Sequence, residues 1–161
     1  MPLKFKIFIA LYLSSWCLTP AFSQTSIPEA SGLTNRKTQL YNASYNRVWD
    51  ALQNVMGTYP LDYNDKKSGV IKTQKLGPGE VWRAPFEEPL PSNYRQILVI
   101  EVFRIGPRTT QVHIEKKAEA QVDFVGSMKQ LSSSGWEEIR LFYKTQRQLD
   151  LDAVLRRIKI K

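Results

Sequence analysis

His113 is the single histidine of the chain and Cys17 the single cysteine. Acid–base, thiol or metal chemistry would therefore have to be built around one of them or around carboxylates. Along TTQVHIEKKAEAQV, strand alternation puts Val112 and Ile114 on one face and Gln111, His113, Glu115 and Lys117 on the other. The histidine is thus expected on a wetted face with no nucleophile to serve. The pairs Glu87-Glu88 and Glu137-Glu138 are neighbours in sequence, and adjacent side chains on a helix or strand diverge instead of meeting on one substrate. The serines of SSSG, residues 132–135, have the chemistry of a helix start, not of a nucleophile elbow. His, Cys and carboxylates do not cluster at metal-ligand spacing. GPG at 77–79 lacks the lysine and helix of a phosphate-binding loop. The chain is accordingly read as non-enzymatic, with no catalytic residue, cofactor site or metal site expected.

The first 23 residues read as an export signal. Lys4 and Lys6 precede the apolar run IFIALYLSSWCLTPAF, and Ala21 and Ser23 place small residues where a signal peptidase cuts, before Gln24. The run is shorter than the roughly 20 residues that span hydrocarbon. Cys17 follows Trp16 within that run, where a lipidated cysteine would follow a small residue, so it reads as part of the signal. Export would leave 161 − 23 = 138 residues without cysteine, and with Lys4 and Lys6 gone the net charge drops from +8 to +6. Such a domain has no disulfide and relies on its core.

Residues 24–36, QTSIPEASGLTNR, are polar and aperiodic and are read as a flexible leader. One domain is expected over 37–161, a length that suits a single core. KTQLYNA makes a first strand, with Leu40 on one face and Tyr41 and Ala43 toward the other. Ser44 is placed to cap a helix whose stripe is Tyr45, Val48, Trp49, Leu52, Val55 and Met56, with Gly57 as a left-handed stop. TYPLDY, a turn over NDKKSG and VIKTQK form a hairpin, and Arg95–Ile105 with TTQVHIEKKAEAQV a second one. Residues 129–135 read as a polar bridge. A long helix follows from about Ser134 to Gln148, with Trp136, Ile139, Phe142, Tyr143, Gln146 and Leu149 as its stripe. A second stripe, Leu151, Val154, Leu155 and Ile158, is rotated by about half a turn, which predicts a break near Asp150. The result is an α+β fold, an antiparallel sheet curled around a long C-terminal helix with one shorter helix, in the order β-α-β-β-β-β-α.

Two features remain for function. The segment GPGEVWRAPFEEPLPSNY, residues 77–94, has four prolines and two glycines yet carries Trp82, Phe86 and Tyr94. Loops this long in small domains are uncommon, and large aromatics are the usual anchors of interfaces. These three residues are the candidates for binding a partner. The basic end, Arg156, Arg157, Lys159 and Lys161, is the candidate contact for an anionic lipid or lipopolysaccharide surface. Nucleic acid is not expected, since no binding motif accompanies the charge.

The strand before SYNRVWDALQNV, the hairpin YPLDYNDKKSGVIKT, the strand opened by Tyr94-Arg95 and the helix opened by Trp136 together resemble one helix-grip module of the BamC (NlpB) family of outer-membrane assembly lipoproteins. The resemblance covers residues 37–155. Members of that family carry two modules and a lipidated cysteine, whereas this chain has room for one module. The resemblance implies an exported envelope protein, in the periplasm or on the periplasmic face of the outer membrane, that works through a protein-binding surface and is accessory to outer-membrane assembly or maintenance. The alternative is a carrier of a small hydrophobic or lipid-like ligand between sheet and C-terminal helix. An apolar internal cavity of roughly 300 Å³ or more under the loop would mark the carrier.

Overall fold

Alternation of apolar and polar residues builds the sheet, and one amphipathic helix on each flank of the hairpins covers it. A computed structural model describes residues 36–121 and 126–159; the expected signal and nearly all of the leader lie outside the described residues. The elements are β1 (Arg36–Tyr41), α1 (Tyr45–Met56), β2 (Leu61–Asp65), β3 (Val70–Thr73), β4 (Arg95–Gly106), β5 (Thr109–Gln121), β6 (Met128–Leu131) and α2 (Trp136–Lys159). The six strands form one open antiparallel sheet in the order β1-β5-β4-β3-β2, with β6 also against β5. β1 pairs with the first half of β5, Gln39 opposite Val112, and β6 with the second half, Ala118 opposite Leu131.

Leu98, Ile100 and Val102 of β4 and Val112 and Ile114 of β5 are buried, as alternation predicts, and they face α1 and α2. From α1 the core takes Val48, Trp49, Ala51, Leu52 and Met56; from α2 it takes Leu141 and Leu149. Among the described residues, the main core therefore draws on side chains from Tyr41 to Leu149.

Local details depart from expectation in five places. Ser44 starts α1 without a side-chain cap; its backbone is extended, and its carbonyl accepts from the Val48 amide at 3.1 Å. Gly57 is right-handed, φ −60°, and the chain leaves α1 through a Tyr59 amide to Met56 carbonyl bond of 2.9 Å. Arg36, assigned to the leader, already pairs in β1 opposite Glu115. The polar bridge contains β6, because backbone pairing with the end of β5 does not require apolar side chains at a sheet edge. Finally, α2 runs unbroken to Lys159. Its buried face is Glu137, Glu138, Leu141, Thr145 and Leu149 with Phe142 at its margin, while Trp136, Ile139 and Tyr143 are exposed. Without burial to satisfy on the second stripe, no break is needed.

Glycine matters most at Gly69, in the β2–β3 turn. Its φ is +73°, its carbonyl accepts from the Val102 amide at 2.8 Å, and a Cβ there would lie 2.4 Å from the Val102 carbonyl oxygen. Asp65 organises the same turn by accepting from the Lys67 amide at 2.9 Å and the Ser68 amide at 3.2 Å. These bonds, that from Lys67 first, hold its carboxyl below the usual range.

Candidate interaction surface

The proline-rich segment 77–94 is ordered by its own polar side chains. Glu80 accepts from the Gly77 amide at 2.7 Å, Glu87 accepts from the Ala84 amide at 2.7 Å, and Arg83 donates to the Glu88 carbonyl at 2.8 Å. Prolines supply no amide donor, so carboxylates that capture the remaining amides close the turns instead. The Glu87 carboxyl is pushed up by burial, but bonds from Ser134 and the Ala84 amide, with Lys116 and Arg83 nearby, hold it below the ordinary value.

So folded, the loop lies over the start of α2 and the end of the sheet. Val81 and Leu90 pack on Tyr94, Ala118 and Ala120. Trp82 is half-buried, with the Arg140 guanidinium 4.6 Å from its ring centre, a cation–π contact that ties loop to helix. Phe86 is 70% exposed and meets Trp136, itself 44% exposed, edge to face at 5.3 Å. Ile139 and Tyr143 continue the exposed apolar surface along α2. Tyr94 does not belong to it. It is buried, and its hydroxyl donates to Gln96 Oε1 at 2.6 Å, so as a partner-binding candidate it is corrected to a core residue.

Beneath the loop lies a group of charges that sequence reasoning assigned elsewhere. Glu137 and Glu138 are 1% and 0% exposed, and both converge on Lys116 Nζ, at 3.6 and 3.9 Å. Adjacent residues were expected to diverge. On the first turn of α2 the 100° step still lets both buried carboxylates reach Lys116 on β5. Glu137 also accepts from the Tyr59 hydroxyl at 3.1 Å and from Gln96 Nε2 at 2.9 Å; Glu138 Oε1 accepts from Ser133, while its Oε2 has no hydrogen-bond partner. Burial first, then the Glu137 charge, pushes the Tyr59 and Tyr94 hydroxyls well above the normal phenol value. Lys116 carried a readable signal: it shares strand parity with Val112, Ile114, Ala118 and Ala120, all buried. The first turn of α2 also places these carboxylates at the positive end of the helix dipole.

The cleft between loop and cluster has a volume of about 250 Å³ and is lined by Trp82, Arg83, Glu87, Glu88, Gln96 and Lys116 among others. Charged Arg83, Glu87, Glu88 and Lys116 share its walls with apolar Val81, Leu90, Tyr94, Ala118 and Leu131, and it opens to solvent. Remote from it, His113 sits half-buried against Phe103, edge to face at 5.1 Å, opposite Glu101 in the β4–β5 register. Arg156 and Arg157 are exposed on the last turns of α2; Lys159 is its final residue, and Lys161 lies outside the described residues. Among the described residues no group of three His, Cys, Asp or Glu could hold a metal ion, and no helix is long and apolar enough to cross a membrane. No family model matches this chain, and no curated protein matches it in sequence.

Proposed function

We propose that this chain is an exported, non-enzymatic protein of the cell envelope that acts as a protein-interaction module, accessory to outer-membrane assembly or maintenance. Its contact surface is the loop 77–94 with the start of α2. The observation that carries this reading is the exposed pair of Phe86, on a loop whose other aromatics are spent on anchoring it, with Trp136 at the start of α2. Neighbouring Ile139 and Tyr143 extend the patch, and large aromatic side chains are the usual anchors of interfaces. The resemblance of residues 37–155 to an outer-membrane assembly module and the apolar run at 7–22 both support the envelope setting. The convergent carboxylates support a structural role, since Glu137 already accepts two hydrogen bonds within the fold. The cleft speaks for the module over the carrier, because at about 250 Å³ it falls short of the roughly 300 Å³ apolar cavity that would mark a carrier, and Arg83, Glu87, Glu88 and Lys116 share its lining.

Affinity capture from envelope extract tests the reading, with the tagged chain from Gln24 onward and mass spectrometry of bound proteins and lipids. Phe86→Ala is expected to lower capture of a discrete protein by roughly 30-fold, the effect of an interface hot spot, with an unchanged melting temperature. Trp82→Ala is expected to lower the melting temperature by a few degrees, because it removes the Arg140 contact. Capture that is indifferent to both Phe86→Ala and Trp136→Ala would overturn the assignment.

A further inference from the structure

Among the described residues, Leu149 is the last buried residue of α2. Asp150–Lys159 then continues for about 15 Å beyond it. This extension carries Leu151, Val154, Leu155 and Ile158, at i, i+3, i+4 and i+7, and all four are 49% to 65% exposed. Ten residues of helix are marginal in water without packing, and four large aliphatic side chains on one side call for burial. The macrodipole accounts for cations at a helix C-terminus, but it does not account for the aliphatic stripe between them.

We infer that the projecting end of α2 is an interfacial anchor that docks on an anionic lipid bilayer, with Leu151, Val154, Leu155 and Ile158 entering the acyl boundary and Arg147, Arg156 and Arg157 meeting the headgroups. Charge decides the occupant. From Lys144 onward α2 holds five cations, Lys144, Arg147, Arg156, Arg157 and Lys159, against two carboxylates, Asp150 and Asp152. Both carboxylates accept from carboxamides of their own helix, Gln146 at 2.9 Å and Gln148 at 3.1 Å. A second copy laid along this stripe would bring a chain of net charge +6, once Lys4 and Lys6 are removed, against its equal, and antiparallel pairing centred on Arg147 would oppose two guanidiniums. An anionic bilayer accepts the stripe and neutralises the arginines together, and their long stems let the guanidiniums reach headgroups while the aliphatics sit deeper. This surface adjoins the Phe86–Trp136 patch along α2 but uses different side chains, so vesicle flotation reads it whether or not that patch binds protein.

Flotation with vesicles tests it, comparing phosphatidylcholine alone with phosphatidylcholine containing phosphatidylglycerol. The chain from Gln24 onward is used, the form that the expected export cleavage leaves, since the apolar run at 7–22 would enter any bilayer by itself. The protein is expected to float with the anionic vesicles, not with the neutral ones, and to be released by salt. Replacing Arg147, Arg156 and Arg157 with Gln is expected to lower partitioning roughly 100-fold, about fivefold per charge. Leu151→Ser, Val154→Ser and Ile158→Ser together are expected to abolish it with the urea midpoint unchanged. Failure to float with anionic vesicles would overturn the inference, as would flotation that both triple variants retain. So would concentration-dependent self-association in sedimentation that the serine variant loses, because a second copy would then cover the stripe. A midpoint that falls in the serine variant would also overturn it, by showing that the stripe packs within the fold.

Discussion

His113 illustrates how little a residue type says without its surroundings. Its ring lies on the outer face of the sheet as alternation predicts, yet Nδ1 is buried there without a hydrogen-bond partner. Burial first and then Arg36 lower its pKa below 6.5, with Glu101 opposing. The folded ring therefore takes up a proton less readily than the unfolded chain does. Between 6.5 and the lower folded value the unfolded state holds more protons, so stability falls as pH drops through that window and levels off below it. As the single histidine, His113 gives an unambiguous NMR titration, expected to have its midpoint below 6.5, and Arg36→Gln is expected to raise that midpoint. In His113→Gln the loss of stability across the window should disappear from urea unfolding curves; a midpoint at or above 6.5 would contradict this account.

At the scale of elements, α2 has two apolar faces, and only one of them is packed. Leu141 is fully buried in the main core, whereas Leu155 is about half exposed on the projecting end. Leu141→Ala is expected to cost about 2–5 kcal/mol through lost burial and the cavity left behind, and Leu155→Ala to stay within about 0.5 kcal/mol. Urea denaturation of the two variants distinguishes this assignment from the reverse, in which the stripe through Trp136, Ile139 and Tyr143 faces the sheet. Periodicity alone could not choose, because both stripes fit a helical repeat. The sheet chose by accepting the face that carries Glu137, Glu138 and Leu141, with Lys116 waiting opposite the carboxylates.

The buried charges join segments distant in sequence. Tyr59 follows α1, Gln96 lies on β4, Lys116 on β5, Ser133 before α2 and Glu137 and Glu138 within it, so one network clamps the loop end of the molecule. Removing the cation on which both carboxylates converge, in Lys116→Met, is expected to destabilise the domain by about 3–5 kcal/mol because two carboxylates stay buried without it. Adding Glu137→Gln and Glu138→Gln to that variant should recover much of the loss, read from the urea midpoint; no recovery would show that Lys116 contributes through packing alone. Strand alternation and helical stripes, being short-range consequences of backbone geometry, were enough to specify the α+β class, both hairpins, the faces of β4 and β5 and the amphipathic α1. They also singled out the loop 77–94 and two of its exposed or anchoring aromatics, Phe86 and Trp82. The inward turn of Tyr94, the pairing of β6, the unbroken α2 and the meeting of Lys116 with Glu137 and Glu138 were decided only by tertiary structure. Each depends on which surfaces meet across the fold, and a one-dimensional pattern records the period of a face but not what comes to lie against it.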